Sequence, residues 1–442
     1  MKIIIRNCNV AELDIPLKYA TKLYNEFAIR HPNAFYLRTR QRGMQNWDGK
    51  IKYITKTGQF KIGLLPSVYK RCIELGIKPI IVDMRQPLPK VSKVVTQIGK
   101  YKLRPEQEKA VKAILSNKLG ETPFQIGVLD YTVNAGKTLI MSALYLSYKK
   151  QLKTLLITND SDWLNQARDE FNQYLPGEDI TFVQGKVLNW SNFTIGMVQS
   201  ISRNMKYYQN ELAKIDMVLI DEADQGGSKQ YQNVITRLFN TRVRIGLSGT
   251  IYMSKLAKDK VKNMNLRCFF GDVIAEFKLK DSIKKGYSTK TIVKTVEGKP
   301  WFGNWESDCM SYNEIYDDSI THNKIAWTMA LDRLKWNLNQ GRYPALVVCK
   351  HIAHCENLCK FFKKKLDNKY NIACVHVNTH TKLRQQIMKD FREGKIDILV
   401  STTIIARGKN FPKLRYLLNT ASMDSQEKSI QFLGRLLSLI HI

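Results

Sequence analysis

The first group of residues suited to chemistry is the tripeptide Gly136-Lys137-Thr138, which lies between an apolar run and a helical pattern. Backbone N–H groups and the dipole at a helix N-terminus bind phosphate oxygens. Lys137 would neutralise charge on the β- and γ-phosphates of a nucleotide, and the Thr138 hydroxyl would ligate Mg²⁺. Tyr131 stands where the full G-x-x-x-x-G-K-[ST] pattern has its first glycine. Taken alone, the pattern is therefore about as consistent with a plain loop as with a nucleotide-binding site.

A second candidate group consists of the carboxylates Asp221, Glu222 and Asp224, which follow the apolar run 217–220. If that run is a buried strand, the carboxylates emerge at its carboxyl end, where α/β sheets bind their ligands. Asp221 can then hold Mg²⁺ while Glu222 orients or deprotonates an attacking water. An acidic helix N-terminus is the alternative interpretation. The presence of Lys137 upstream favours a nucleotide-hydrolysing site.

These groups need parallel sheets to hold them in place, and the chain has the pattern for two. Short β-rich runs alternate with helical segments, which indicates βαβ units with buried strands. The first series of runs comprises 124–129, 154–158, 193–197, 217–220 and 243–247, and the second comprises 345–349, 372–377, 396–400 and 416–418. We therefore predict an α/β fold: a small basic α+β domain at 1–95, a lobe at 96–290 and a second lobe at 291–442. The proline-punctuated stretch 86–90 reads as a linker.

The composition narrows the class of protein. The 442 residues carry 70 Lys or Arg against 39 Asp or Glu, and this net charge of +31 favours a polyanionic partner, above all nucleic acid. No apolar run approaches the ~18 residues of a membrane span. Eight cysteines without a C-x-x-C pair favour a reducing, cytoplasmic setting without disulfides. The cluster His351, His354, Cys355 and Cys359 fits no common zinc spacing, so we interpret it as part of a helix that follows a buried strand.

With further motifs added, the sequence is similar to the superfamily 2 helicases over about 101–436. The motifs occur in the family's order: Leu103-Arg104-Pro105-Glu106-Gln107, the Gly-Lys-Thr loop, 155–158, 194–200, Asp221-Glu222-Ala223-Asp224, Ser248-Gly249-Thr250, 399–410 and Gln431-Phe432-Leu433-Gly434-Arg435. The resemblance implies two tandem RecA-like (P-loop NTPase) lobes. It also implies an enzyme that uses ATP and Mg²⁺ to move along nucleic acid.

The resemblance assigns roles residue by residue. The residues that it implies for ATP binding are Arg104, Gln107 as reader of the adenine, Asn134, Gly136, Lys137, Thr138, Gly408 and Asn410. Mg²⁺ would be held by Thr138 and Asp221. The residues implied in hydrolysis are Lys137, Asp221, Glu222, Gln431 and Arg435, with Arg435 as the arginine finger that stabilises charge on the γ-phosphate. Gln199, Ser200 and Thr402 would contact the nucleic-acid strand. Ser248-Gly249-Thr250 stands where the family couples hydrolysis to lobe movement.

The first 100 residues hold 19 basic and 6 acidic residues, so they supply +13 of the charge excess. Arg38, Arg40 and Arg42 alternate, so on a strand they would share one face and contact phosphates, with Lys50 and the stacking surface of Trp47 nearby. A solvated strand with Trp47 in a small core is the alternative. This region is also similar to the N-terminal domain of phage recombination helicases. That resemblance implies remodelling of branched DNA (fork regression, branch migration and R-loop or D-loop unwinding) in replication, recombination and repair.

We therefore expect a monomeric, ATP-dependent DNA helicase or translocase in the cytoplasm of a bacterial host, with RNA as a partner in R-loops and no membrane association. Three alternatives stay open. The chain could be an RNA helicase, a duplex translocase that does not separate strands, or a DNA-binding protein with a vestigial ATPase site.

Three positions depart from the family's pattern. Tyr131 replaces a small residue, Asn410 stands where many relatives carry Asp, and Ser438 stands where a second arginine of the finger motif belongs. The last six residues, 437–442, are the translation of CTG TCT CTT ATA CAC ATC, which matches a transposon mosaic-end adapter of sequencing libraries. We therefore expect the natural sequence to continue beyond Leu436 or Leu437, and a chain without the second arginine to hydrolyse ATP poorly. A genuine short apolar tail is the alternative.

Overall fold

The computed structural model describes residues 1–40, 43–132, 134–159, 161–185, 187, 190–252, 259–290, 292–294, 311–367, 369–403, 411 and 413–421. The chain divides into two compact units, Met1–Asp281 and Ser282–Ile442. The domain boundaries expected near residues 95 and 290 stay a prediction. Within the described ranges, no helix is long and apolar enough to cross a membrane.

The N-terminal part of the first unit is built around a four-stranded mixed sheet. Its elements are β1 (Lys2–Ile5), β2 (Val10–Asp14), α1 (Leu17–Glu26), β3 (Ala28–Arg30), α2 (Ala34–Arg40), β4 (Lys50–Lys52), β5 (Gln59–Lys61), α3 (Leu65–Glu74) and β6 (Ile80–Asp83). The strand order is β5-β2-β1-β6, and β3 pairs separately with β4. Ile3 and Ile5 are buried while Lys2 is exposed, so one face of β1 packs into a core.

The rest of the first unit is a seven-stranded parallel sheet with the order β13-β14-β12-β15-β16-β11-β17. Its elements are β7 (Gln97–Ile98), β8 (Tyr101–Lys102), α4 (Pro105–Leu115), β9 (Lys118–Leu119), β10 (Thr122–Pro123), β11 (Ile126–Tyr131), α5 (Lys137–Ser147), β12 (Thr154–Thr158), α6 (Ser161–Tyr174), β13 (Ile180–Val183), β14 (Phe193–Met197), α7 (Val198–Arg203), α8 (Met205–Ala213), β15 (Met217–Asp221), α9 (Lys229–Ile235), β16 (Val243–Ser248), α10 (Lys260–Phe270), β17 (Val273–Phe277) and α11 (Leu279–Lys284). The central strands β11, β12, β15 and β16 are buried along their whole length, as expected when helices cover both faces of a parallel sheet.

The second unit contains a four-stranded parallel sheet with the order β19-β20-β18-β21. Its elements are α12 (Tyr312–Tyr316), a π-helical turn (Asp317–Thr321), α13 (Lys324–Leu338), β18 (Ala345–Cys349), α14 (Ile352–Lys365), β19 (Ile372–Val375), α15 (Thr381–Glu393), β20 (Ile398–Thr402) and β21 (Tyr416–Asn419). Two parallel-sheet lobes behind an α+β segment confirm the predicted fold class.

The N-terminal sheet and the first parallel sheet share one apolar core. Ile3 and Ile5 of β1 belong to the same cluster of buried side chains as Ile126 and Val128 of β11. The turn Ile62–Leu64 packs so closely on α10 that a Cβ on Gly63 would lie 2.1 Å from the Arg267 carbonyl oxygen. The linker predicted at 86–90 therefore does not join two separately packed bodies.

Candidate nucleotide and nucleic-acid site

The candidate phosphate loop joins β11 to α5. Asn134 and Gly136 both have left-handed backbones, with φ of 64° and 72°, so the chain turns tightly before the helix begins at Lys137. A Cβ on Gly136 would lie 2.3 Å from Gln107 Nε2, which leaves room for glycine alone. The N–H groups of the first turn of α5 thus follow a compact loop, which is the arrangement that binds phosphate oxygens.

Two side chains of the predicted adenine-reading element contact this loop. Gln107 Nε2 donates a hydrogen bond to the Ala135 carbonyl (2.9 Å), and Gln107 Oε1 accepts one from the Arg104 backbone N–H (2.8 Å). Arg104 Nη2 donates to the Asn134 carbonyl (3.0 Å). Both residues therefore fix the shape of the phosphate loop, which the sequence did not reveal. The base-reading role of Gln107 stays a prediction.

Tyr131, the residue that departs from the family pattern, is built into the same element. Its hydroxyl donates a 2.8 Å hydrogen bond to the Glu106 carbonyl, and its ring packs 6.0 Å from that of Phe277. Burial raises the pKa of Tyr131 to about 12, so the hydroxyl stays protonated at ordinary pH. Tyr131 thus ties the last residue of β11 to α4 without entering the turn at Asn134.

The carboxylates lie where the sequence predicted them, at the end of β15. Asp221 is the last residue of that strand and is 6% exposed. Glu222, with φ of 54°, has the left-handed backbone that a non-glycine side chain seldom adopts. Such strain costs on the order of 1 kcal/mol and persists where the surrounding structure requires it. The functional role of Glu222 stays a prediction, which this strained turn supports.

Asp224 is tied to the next strand of the sheet. Its Oδ1 accepts a 3.0 Å hydrogen bond from Ser248 Oγ at the end of β16, and its Oδ2 accepts one of 2.8 Å from Gln225 Nε2. Ser248 Oγ in turn accepts a bond from the Thr250 backbone N–H (3.2 Å). The segment that resembles the coupling motif is therefore bonded to the carboxylate segment, and both partners are buried.

These groups meet because β15, β16 and β11 are neighbours in the sheet. The register places Asp221 beside Leu247 and Asp130 beside Ser248, so all three strands end at the same level. Lys137 Nζ lies 3.7 Å from Asp221 Oδ1. Two predicted groups that are distant in sequence are thus in contact.

The geometry fits the triphosphate of ATP together with Mg²⁺. Lys137 supplies positive charge, Asp221 supplies a carboxylate ligand for a hard cation, and the hydroxyl of Thr138 in the first turn of α5 would supply another oxygen ligand. No three His, Cys, Asp or Glu side chains of the described ranges could hold a metal ion by themselves. A Mg²⁺ ion at Asp221 would therefore take its other ligands from phosphate and water, which is usual for this cation.

A charged pair that the sequence did not reveal flanks the loop. Asp130, in β11 directly before Tyr131, is buried and forms an ion pair with Lys278. Burial raises the pKa of Asp130, although the Lys278 ammonium opposes the rise. The one sequence signal for this ion pair was the position of the Asp130 carboxylate in a largely apolar strand. Nothing in the local sequence points to its partner Lys278, which follows β17.

The arginines of the N-terminal segment lie on a helix, so the prediction of a strand face was wrong. Arg38 and Arg40 belong to α2, where side chains two residues apart point to different sides, and Arg42 lies outside the described residues. Helix rather than strand forms because α2 contains only one β-branched residue, Thr39. Arg40 stacks on Tyr36 one turn earlier, with 4.6 Å between guanidinium and ring centre, and donates to its hydroxyl (3.0 Å).

Most of α2 is open to solvent. Phe35 is 80% exposed and Tyr36 is 53% exposed, and both arginines are exposed as well. Ala34 is the one buried residue of this helix. An isolated apolar residue on a surface is ordinary, but two adjacent exposed aromatics beside two arginines form a surface suited to nucleic acid.

Trp47 and Lys50 lie in the following turn. Trp47 is partly buried, with its ring edge-on to His31 at 6.0 Å and its N–H donated to the Lys50 carbonyl (2.9 Å). Lys50 begins β4 and its side chain is exposed. This environment favours the small-core interpretation of Trp47, while Lys50 is available to a phosphate.

The remaining predicted contacts are only partly described. Gln199 and Ser200 begin α7, and Gln199 Nε2 donates to the Asn159 carbonyl (3.2 Å). Thr402 ends β20 in the second unit and is buried. The predicted site residues that lie outside the described ranges are Arg42, Gly408, Asn410, Gln431 and Arg435. The chain end discussed above lies there too.

Two family comparisons match separate parts of the chain. Residues 100–253 match the family described as "Type III restriction enzyme, res subunit", and residues 328–438 match "Helicase conserved C-terminal domain". The ATP-dependent DNA helicase uvsW of Enterobacteria phage T4 is 23% identical over 423 residues, which covers 89% of this chain and 79% of that protein. The chain belongs to the superfamily 2 helicases.

Solved structures agree with this family's fold. The match to the crystal structure of the UvsW helicase from Bacteriophage T4 has a TM-score of 0.50 and 21% identity. It covers 62% of this helicase and 100% of the chain in that crystal structure. The match to the structure of the DEAD-box helicase Mss116 bound to ssRNA has a TM-score of 0.53 and 15% identity. It covers 80% of this helicase and 74% of the Mss116 chain. The two family matches and the helicase relative show that this helicase is a nucleic-acid-dependent ATPase, as its motifs predicted.

Proposed function

We propose that this helicase uses ATP hydrolysis to remodel branched DNA, by fork regression, branch migration and unwinding of R-loops or D-loops, in phage replication, recombination and repair. The observation that carries the proposal is the extent of the match to the phage DNA helicase. A match over 89% of the chain cannot be contained within residues 96–442, so it includes part of the basic N-terminal segment. The resemblance therefore extends beyond the two helicase lobes (the motor), which DNA and RNA helicases have in common.

The surface of the N-terminal segment supports this assignment. Exposed aromatics can stack on bases that are unpaired at a branch point, and arginines can contact the phosphates on either side. On α2 both kinds of side chain lie within two turns, from Phe35 to Arg40. Because α2 buries so little of itself, its side chains are available to a ligand without rearrangement of the core.

The motor geometry supports ATP as the energy source. Lys137, Asp221 and Glu222 lie together at the carboxyl ends of adjacent or nearby strands, in the positions suited to Mg²⁺–ATP. Asp224 and Ser248 provide a direct link from this site to the segment that resembles the coupling motif. A vestigial site would have no reason to keep this full set of buried polar contacts.

The test is ATP hydrolysis and strand exchange by the full chain with single-stranded DNA, blunt duplex, a model fork, a Holliday junction and duplex RNA. We expect the fork and the junction to stimulate hydrolysis most and to be converted to products. Stimulation by RNA alone would favour the RNA helicase, and stimulation by blunt duplex without strand separation would favour the duplex translocase.

A pair of variants tests the N-terminal contribution. Arg38→Gln with Arg40→Gln should weaken fork binding and reduce the slope of log K against log salt concentration by about 0.9 for each phosphate that the protein no longer neutralises. Lys70→Gln removes an exposed charge from α3 instead and serves as the matched control. Equal effects of the two changes on fork binding would remove α2 from the proposal.

A further inference from the structure

A cavity of about 1030 Å³ lies in the first unit, away from the candidate ATP site. Arg242 and Gln125 line it, and they directly precede β16 and β11. The ATP site lies at the opposite, carboxyl ends of the same strands, beyond Ser248 and Tyr131. We name this feature the amino-edge cavity. Its volume is at the upper end of the range usual for small-molecule sites.

The amino-edge cavity has an excess of buried positive charge. The side chains of Arg85 and Arg242 line it and are only 2% and 8% exposed. Both pair with one carboxylate, Asp83, at 2.8 Å and 3.5 Å. Glu121 also lines the cavity, but its side chain is fully exposed and lies 3.9 Å from Lys118. Two buried guanidinium groups therefore share a single, partly buried carboxylate.

A third arginine adds to the excess from behind. Arg244 is completely buried and donates only to uncharged oxygens, the carbonyls of Cys8 and Phe269 and the side chain of Asn9. Burial lowers the pKa of Arg244 to about 10, and burial together with Arg85 lowers the pKa of Arg242. Uncompensated charge in a low-dielectric interior is costly, so this cluster is stabilised by any anion that reaches it.

The cluster also contains guanidinium nitrogens that are shielded from solvent and have no hydrogen-bond partner in the part of the chain that the structure describes. Among the described residues, Arg85 Nη1, Arg242 Nε and Arg244 Nε have no hydrogen-bond partner. Buried guanidinium nitrogens without an acceptor are uncommon, because each unmade bond costs roughly 1–3 kcal/mol. Two of the three belong to residues that line the cavity.

We propose that the amino-edge cavity binds an oxyanion, the phosphate or carboxylate of a small organic molecule, between Arg85 and Arg242. The planar guanidinium groups recognise either oxyanion through paired hydrogen bonds. Lys90 lines the cavity as well and adds positive charge, whereas the Lys112 ammonium that also lines it is paired with Glu108. Its apolar wall accommodates the body of the ligand and includes Leu88, Val91, Val94, Leu115 and Tyr148.

A purely structural role for the arginines is the competing explanation. Arg242 donates to the Gln86 carbonyl, and Arg244 donates to the Cys8 carbonyl, so both attach the N-terminal segment to the sheet. That role accounts for the burial of the side chains. It does not account for a charge excess beside a large open cavity.

The experiment is calorimetric titration of the full chain with phenyl phosphate, inorganic phosphate and benzoate at constant ionic strength. All titrations use the Lys137→Ala background, which weakens phosphate binding at the ATP site. We expect one saturable site, with phenyl phosphate bound more tightly than inorganic phosphate because of the apolar wall. Tighter binding of phenyl phosphate than of benzoate assigns the phosphate ester, and the reverse assigns the carboxylate. Absence of saturable binding to any of the three overturns the proposal.

Variants distinguish binding from structure by the sign of their effect. Asp83→Asn removes the competing carboxylate and should tighten binding about tenfold, whereas a purely structural cluster gives no gain. Lys90→Gln, at an exposed position, should weaken binding about two- to fivefold without affecting folding. Arg242→Gln should abolish binding. If that variant does not fold, the other two changes decide, and unchanged affinity in both overturns the proposal.

Discussion

Lys137 Nζ lies 3.7 Å from Asp221 Oδ1, so the first residue of α5 and the last residue of β15 form an ion pair across the strand between them. In the nucleotide-bound state, the lysine would contact phosphate and the aspartate would contact Mg²⁺. Without nucleotide, Lys137 and Asp221 therefore neutralise each other. Phosphate at the lysine and Mg²⁺ at the aspartate would replace this ion pair when the nucleotide binds.

Removal of the lysine should abolish most ATP hydrolysis. We expect Lys137→Ala to lower kcat/KM for ATP by about 10²- to 10³-fold, because the phosphates are then without a preorganised positive partner. Steady-state hydrolysis with saturating DNA measures the effect. Lys149→Ala removes an exposed lysine just beyond the other end of α5 and is the control. A similar decrease in both variants would contradict the site assignment.

The bond from Ser248 to Asp224 predicts a coupling defect. Ser248→Ala removes a hydrogen bond to a buried carboxylate, an interaction worth about 1.5–3 kcal/mol. We expect the rate of unwinding to fall about tenfold while hydrolysis changes much less. The ratio of base pairs opened to ATP consumed is the measurement. Ser147→Ala deletes another buried hydroxyl, one bonded to a backbone carbonyl, and should leave the ratio unchanged.

Tyr131 should support the phosphate loop through α4. Tyr131→Phe deletes the bond to the Glu106 carbonyl and should lower the free energy of unfolding by about 1 kcal/mol. We also expect KM for ATP to rise more than kcat falls, because α4 carries Arg104 and Gln107 against the loop. Tyr145→Phe removes a hydroxyl bond to Glu178 at the far end of α5. If both variants raise KM equally, the link from Tyr131 to the loop is wrong.

His354 should make the second unit sensitive to acid. It is buried near His351, His322 and Asp317, and burial lowers its pKa from 6.5 to about 4. The unfolded chain therefore takes up the proton first as pH falls. The stabilising contribution is complete above pH 6.5 and is lost toward pH 4, up to about 3 kcal/mol. Urea unfolding of wild type and His354→Gln across this interval measures it, and parallel pH profiles would contradict the prediction.

Cys374 should be the most reactive of the described cysteines. The hydrogen-bonded contacts with Cys355 and Cys359 hold the pKa of Cys374 below its usual range, and its Sγ lies 3.4 Å from that of Cys355. The other described cysteines are buried, whereas Cys374 is partly exposed. We expect iodoacetamide to label Cys374 first at pH 7, as read by peptide mass spectrometry. In Cys355→Ser with Cys359→Ala the preference should shrink, and uniform labelling of the wild type would refute the mechanism.

The buried strands of both sheets were accessible from sequence because each is a short apolar run bounded by helical segments. The runs 154–158 and 193–197 coincide with β12 and β14, and 345–349 coincides with β18. The runs 217–220 and 243–247 correspond to β15 and β16, and they placed Asp221 and Ser248 at the carboxyl ends of those strands. The edge strands β13 and β17 were missed, since they are less completely buried than the central strands.

The failures have a different physical origin. The alternation Arg38, Arg40, Arg42 has a period of two, but no apolar residues alternate with the arginines to bury a strand face, and local helix preference decided the outcome. The charge cluster at the amino-edge cavity joins Asp83 to Arg242, which are far apart in the chain. A contact of that kind depends on how two sheets pack, and no local pattern carries this information.

The shared core of the N-terminal segment and the first parallel sheet has a mechanical consequence. The side chains of Ile3 and Ile5 belong to the same apolar core as those of Ile126 and Val128, on the strand that carries the phosphate loop. Tension on nucleic acid held at α2 would therefore reach that strand through close-packed side chains of low compressibility, with no slack tether to absorb it. The N-terminal segment is in this respect a rigid arm of the motor, and a load on the DNA should register as a change in the rate of ATP turnover.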